Sequence, residues 1–492
     1  VDENGLVNYA EVLGGEEVTN GGFNGGTSGW TLQTGWTYSV NSVDYDAITN
    51  GSGVQSQIST LISGLTYKID FDLSNIAVAS RIGVYNSSGS LNYIAPNSNY
   101  TNGSYSLYFQ ASDSTIGIFA FSVGDSFTIT NISVKEVTRD NVPRIDYTGG
   151  GCPHILAEPM RTNLITYSED FSQSYWTKTG ITLESGNTSP DGTVNAYKLV
   201  EDTSTGQHRT FSGIQTVSSG VTVTSSIYVK SAERSWFLLE ESQSGAGYYF
   251  NNGVVGSNVG SPLNYKIDTL LNGWFRYSIT TTAAATTTRL MFRISESDGV
   301  ISYTGDGTSG LYAWGGQIEQ GSYATSYIPT SGSTVTRNQD IFTRDGIGSL
   351  INSTEGVLFV EMAALSDDGT DRRISLNDGT VGNAINIGLS RFTGNINGEV
   401  YSGGALQTSG FAATGVTQTN NNKFALSWGS GTMKFYVNGS PTISITGVTS
   451  PIGLNSLKLS SGDDTLNLFA KVKQLQVYDT SLSDTQLAAL TS

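Results

Sequence analysis

The sequence holds one cysteine, Cys152, so no disulfide can form within the chain and its folded state must rest on burial. Histidine is almost as scarce: with only His154 and His208, a histidine-rich metal centre and an HExxH helix are both excluded. Charged residues make up only 14% of the chain. The formal charge is −17 and the 25 basic residues are scattered without a stripe, so nucleic acid is not an expected partner. The longest apolar runs, such as 115–123, fall far short of the ~20 residues that span a bilayer, and no membrane insertion is expected. Helix-forming Lys, Glu and Leu are sparse, and a 3.6-residue apolar period shows only in the last dozen positions, which excludes a helical protein. No GxSxG elbow and no P-loop occur, and the opening VDENG at Val1 offers no signal peptide to read.

What is abundant is the material of sheets and tight turns: 59 glycines, 25 tyrosines and 19 phenylalanines, with Ser, Thr and Asn in place of charge. A chain of 492 residues exceeds one hydrophobic core and suggests about three. The expected fold is all-β, three tandem antiparallel β-sandwiches ending in a short helix. After a leading segment, 1–16, alternating strands such as 66–74, 105–112 and 127–137 mark a first module over 17–138. Residues 139–163, with Pro143, Pro153, Pro159 and the glycines Gly149 to Gly151, form a packed connector. The same plan recurs over 164–345, from YSEDFSQSYW to LYAWGGQIEQG, as an internal repeat of architecture. A third module, 346–492, has hairpin turns at GSG, 429–431, and at Asn438-Gly439, and a closing helix capped by Ser483.

Three stretches bear resemblances. The opening VTNGGFNGGTSGW, 18–30, and the closing FTITNISVKEV make the first module similar to jelly-roll carbohydrate-binding modules. The hairpin FALSWGSGTMKFYVNG, 424–439, and the end VYDTSLSDTQLAAL, 477–490, make the third resemble laminin-G-like and concanavalin-A-like domains. PRIDYTGGGCPHILAEPMRTNLITYSEDFSQSYW, 143–176, with WGGQIEQGSYATSYIPTSGSTVTRNQD, 314–340, resembles bacteriophage and prophage tail-fibre and head-fibre proteins. That resemblance implies a virion-surface or extracellular setting, other virion proteins as neighbours and a homo-oligomer, a trimer by analogy. It also implies an upstream attachment portion before the VDENGLV at the start of this chain. The function expected is a non-enzymatic appendage that adheres to host-surface glycans. The alternatives are the accessory carbohydrate-binding region of a secreted polysaccharide-degrading enzyme, or a bacterial surface adhesin.

A sugar's C–H face stacks on aromatic rings left outside the core. The sequence offers Trp36 and Tyr38, on one side of GWTYSV, and Trp236, Tyr248 and Tyr249 beside a polar stretch; Trp30 reads as core. The bland alternative for each is packing inside a sandwich. No cofactor is required. Calcium is the one metal with candidate ligands, Asp367, Asp368 and Asp371 in SDDGTD, where an ordinary solvated turn is the competing reading; Asp463 and Asp464 form a weaker cluster. Glycoside hydrolysis needs paired carboxylates, and the third module's strand offers only Glu361. Cys152 and His154, two apart across a proline, do not read as a nucleophile and its base.

Overall fold

The computed structural model describes residues 12–46, 52–56, 60–76, 80–86, 89–90, 92–121, 126–138, 144–147, 152–389, 395–407 and 415–492. The opening VDENGLV, Pro143 and the three glycines at 149–151 lie outside them. The described residues fall into two compact units, 12–138 and 144–492.

The strand Thr66–Ser74 shows how sequence becomes sheet in the first unit. Tyr67, Ile69, Phe71 and Leu73 alternate inward while Lys68, Asp70 and Asp72 face out, the period of two that a half-buried strand dictates. It pairs with Ser126–Thr138 and Gly103–Gln110 in one sheet; Ser52–Ser56, Gly117–Ala120 and Ser80–Tyr85 are central in the other. The core between them includes Tyr45, Ile69, Phe71, Ile118, Phe127 and Ile129. An aromatic latch closes the start of this sandwich: Phe23 packs on Trp30 at 5.5 Å between ring centroids, and the indole N–H donates to the Thr19 carbonyl at 2.8 Å.

The second unit holds two sandwiches, one nested in the other. In the inner one, a sheet of Thr177–Thr179, His208–Phe211, Leu290–Ser295, Trp236–Glu241, Ala246–Asn251 and Val254–Val259, in that spatial order, packs on a sheet centred on Gly310–Gln320 and Thr222–Ser231. Leu199, Ile227, Phe237, Leu239, Phe250 and Phe292 fill the space between. The latch is repeated, with Phe171 and Trp176 at 4.5 Å and the indole N–H of Trp176 donating to the Tyr167 carbonyl at 2.8 Å. The repeat of architecture is thus a repeat of one packing device.

The outer sandwich is not continuous in sequence. One of its sheets runs Arg144–Asp146, His154–Leu156, Ala470–Tyr478, Gly356–Ala364, Asn422–Gly429, Thr432–Val437 and Ser440–Thr446. Its first two strands therefore come from the segment expected to be a connector, and Ile155 pairs with Val472 across the sheet. The chain leaves after Leu156, builds the inner sandwich and returns. Way out and way back lie side by side, as Arg161 pairs with Arg337 and Asn163 with Val335. The module boundaries expected at 164–345 and 346–492 give way to an outer sandwich made of 144–156 and 340–492, with the inner one inserted.

A buried charge cluster pins this neck. The Arg144 guanidinium is 2.7 Å from Glu158 and also grips Asp340, and Arg337 meets Glu158 at 2.7 Å. Backbone bonds reinforce it: Asp340 N–H donates to the Glu158 carbonyl at 2.9 Å, and Glu158 N–H to the Asp340 carboxylate at 2.7 Å. Burial pushes the Glu158 carboxyl up, but Arg337 and Arg144 outweigh it and bring it to about 2.

The strand Gly356–Ala364 is buried along its whole length, as a run that is apolar but for Glu361 requires. One face meets the core with Leu358, Val360 and Met362, while Val357 and Phe359 meet Leu487 of the closing helix Asp484–Thr491. Ser483 caps that helix in a reciprocal box with Gln486. Ser430 and Gly431 turn the hairpin with φ of 49° and 70°, and Asn438 and Gly439 the next with 47° and 80°. Both are two-residue turns with positive φ at each position, matching the twist of the strands they join. No helix among the described residues is long and apolar enough to cross a membrane.

Candidate functional site

Strand pairing sorts the aromatic candidates. Trp36 is core: 5% exposed, it packs on Tyr45 at 5.0 Å and edge-on to Phe127 at 5.6 Å. Tyr38, two residues on, is 43% exposed, because Trp36–Ser39 is the outermost strand of its sheet and its end escapes the core. The two do not form one platform, and Trp36 is withdrawn as a sugar-stacking residue.

Tyr248 and Tyr249 are neighbours in sequence and face opposite sides of their strand. Tyr248 belongs to the margin of the inner core, 5.0 Å from the Tyr265 ring. Tyr249 lies on the outer face with Leu238 and Met291, against Trp236, Phe211 and Val259. At 1% exposure Tyr249 is floor rather than platform, and it too is withdrawn as a stacking surface. Trp236 is half-buried at the edge of the same face. Gly256 lies flush against it, since a Cβ there would stand 2.6 Å from the indole Cζ3 and 2.6 Å from the Asp298 carboxylate.

The register of this sheet brings together residues that the sequence scatters. One rung places Arg209 beside Arg293, Arg293 beside Leu238 and Leu238 beside Tyr249. The next places Phe211, Met291 and Glu240 side by side. Arg209 and Arg289 lie over the Phe211 ring at 4.7 and 4.2 Å. Arg293 is only 7% exposed; it donates to the thioether of Met291 at 3.5 Å and has the Tyr249 hydroxyl beside it. The Nε atoms of Arg209 and Arg293 are both buried and, among the described residues, unpartnered. Burial raises the Glu240 carboxyl, with Arg293 and Arg209 pulling the other way. Burial also lowers the Arg209 guanidinium, and the like charge of Arg293 adds to this. Among the described residues neither Arg209, Arg293 nor Glu240 makes an ion pair within 4.0 Å. Charge that is desolvated without an ion-pair partner costs free energy, and this face carries that cost.

Two of the three acidic candidates in SDDGTD face arginines. Asp368 takes the Arg372 guanidinium at 2.5 Å and the Ser322 hydroxyl at 2.8 Å, fastening the inner sandwich to the outer one. Asp371 faces Arg373 at 3.6 Å, and Asp367 joins neither pair. Among the described residues no group of three or more His, Cys, Asp and Glu side chains converges as metal ligands do. Asp463 accepts from Ser461 and Thr465 within its own turn, and Asp464 pairs with Lys458 at 2.8 Å. Glu361 is 3.0 Å from Lys473.

The described residues of this unit also line concavities. One of about 430 Å³ lies by the neck, where Lys266 pairs with Asp268 at 2.8 Å and Lys471 with Asp146 at 2.6 Å. Another, about 330 Å³, is lined by Tyr167, Glu169, Asp170, Asn195 and Tyr197. Its Asp170 is held down at about 2: burial opposes, but donors on Ser172, Gln173 and Tyr197 prevail, so it serves as a turn cap rather than a proton carrier.

No protein-family model matches the chain, and no curated protein matches it. Among solved structures, the CBM40 of the Ruminococcus gnavus IT-sialidase, bound to α2,3-sialyllactose, is similar over 29% of this chain and 86% of its own, at 18% identity and a TM-score of 0.26. The CBM22-1-CBM22-2 tandem of Paenibacillus barcinonensis Xyn10C is similar over 64% and 99%, at 13% identity and 0.23. Domains LG4-5 of the mouse laminin alpha1 chain are similar over 58% and 88%, at 12% identity and 0.21. At these scores none of them transfers a ligand or an activity to this chain.

Proposed function

We propose that this chain is a non-enzymatic surface appendage, a phage fibre or decoration protein, that adheres to host-surface glycans through the outer face bearing Trp236. The observation behind the adhesion is the joining of a half-exposed indole to two guanidinium groups on one sheet face whose Nε donors are buried and, among the described residues, unpartnered. An indole offers the stacking surface a pyranose needs, and buried donors without partners are what sugar hydroxyls and acids satisfy. The virion setting rests on the resemblance carried by residues 143–176 and 314–340. Each site would bind weakly, and several copies in one assembly, a trimer by analogy, would supply avidity.

A glycan-array screen of the intact chain, run with calcium and with chelator, tests the reading. Saturable binding is expected, weakened at least roughly tenfold by Trp236→Ala and unchanged by Tyr38→Ala. Binding that survives Trp236→Ala and disappears with Tyr38→Ala would move the site to the first unit. No saturable binding to any glycan would end the adhesion proposal.

A further inference from the structure

Resting on that reading of the face, we infer that its ligand is an acidic saccharide, a sugar whose carboxylate is held between Arg209 and Arg293. The two guanidinium groups stand on adjacent strands at the same register position, so their forks lie on one rung of the sheet. Two like charges on one rung repel, and no carboxylate meets either at ion-pair distance: Arg293 has the Met291 thioether and the neutral Tyr249 hydroxyl beside it, Glu240 acts on both only from farther off, and each Nε is unpartnered among the described residues. A planar carboxylate relieves it, since its two oxygens accept forked N–H donors and its single negative charge attracts both. A neutral sugar hydroxyl would satisfy a donor and leave the repulsion.

The rest of the face fits one acidic pyranose. Phe211, beneath Arg209 and Arg289, holds two guanidinium groups over its ring and so restricts their motion before a ligand arrives. Glu240, on the neighbouring rung, is too far from either arginine to quench it at contact and is suited to accept from ring hydroxyls. Trp236 lies on the same strand, two rungs from Glu240 and one from the Leu238–Arg293 rung, where the ring's C–H face would stack. In a chain of formal charge −17, three arginines around one face form a local exception that a negatively charged ligand can use.

The test pairs acidic oligosaccharides, glucuronic-acid and sialic-acid terminated, with their carboxyl-reduced counterparts and with a sulfated neutral set, and titrates them into the intact chain. Carboxylated forms are expected to bind and their reduced counterparts to bind at least roughly tenfold more weakly. Arg293→Gln and Arg209→Gln should each erase that difference, while Arg209→Lys, which keeps charge without the fork, should recover part of it. Circular dichroism and melting of each variant check folding. If acidic and reduced forms bind alike and both Gln variants keep that binding, the acidic preference is overturned while the glycan reading stands. Sulfated sugars alone binding would also overturn it, and no binding in any arm would overturn both.

Discussion

Replacing Arg144 with alanine is expected to destabilise the unit 144–492 by about 3–5 kcal/mol, the usual result of removing one partner from a buried ionic cluster. The change leaves a buried Glu158 and a half-buried Asp340 with one cation, Arg337, which meets only Glu158 as an ion pair. Urea melts at pH 7 would show it as a lower midpoint at unchanged slope. Arg144→Lys should fall between, since the amine cannot span both carboxylates as the fork does. A midpoint within error of the parent would mean that the neck does not depend on this cluster. The same cluster sets an acid limit. Glu158 titrates at about 2 in the folded chain, below the ordinary carboxylate range. Its stabilising contribution is therefore complete above pH ~4.5 and is lost as pH falls from there through about 2. Asp340, raised by its burial, contributes with the opposite sign and softens that loss.

Cutting the nested sandwiches apart should produce the largest effect of all, and its outcome depends on where the cut falls. A fragment beginning at 346 lacks Arg144–Asp146 and His154–Leu156, and so uncovers Lys471 and Val472, leaving the edge of Ala470–Tyr478 open along its length. An open edge strand of nine residues is a template for pairing with other chains, and this fragment is expected to elute as aggregate or fail to accumulate. A chain that runs 144–161, crosses by two glycines and resumes at 337 keeps those strands and the Glu158–Arg337 pair. It is expected to fold as a monodisperse sandwich with a cooperative melt, because Arg161 and Arg337 are already cross-strand neighbours. A well-behaved monomer from the first fragment, or aggregate from the second, would refute the nesting.

Sandwich content, hairpin turns and the capped helix were legible because each is written locally. The alternation of 66–74, the Asn438-Gly439 pair and Ser483 with Gln486 need no distant partner. Nesting was not legible, since the strands that reveal it are three residues long, too short for a period, and the partner of Ile155 is Val472. The neck explains what the phrases at 143–176 and 314–340 contain physically. Arg144, Glu158, Arg337 and Asp340 are the clamp, the first two in the segment expected as a connector, 139–163, and the last two in the expected second module.

At the candidate site the sequence pointed to Trp236 and missed the arginines. Arg209 and Arg293 look like two of many scattered bases until pairing sets them on one rung. A hint was available in the alternation of LMFRIS, where an arginine sits among residues that a strand buries on both faces. Adjacent aromatics misled for the same reason that alternation informs: Tyr248 and Tyr249 cannot share a face, and Trp36 and Tyr38 share one only as far as the sheet edge allows.

The nested arrangement also dictates an order of events on the ribosome. The hairpin of 144–156 leaves the exit tunnel early, but the strand it must pair with comes almost at the end of synthesis, on the order of tens of seconds later at ordinary elongation rates. During that interval the inner sandwich, whose strands all lie within 161–337, can complete itself and dock its own edges. It would then hold the waiting hairpin by the neck, one ready edge onto which the last long strand is recruited when it emerges.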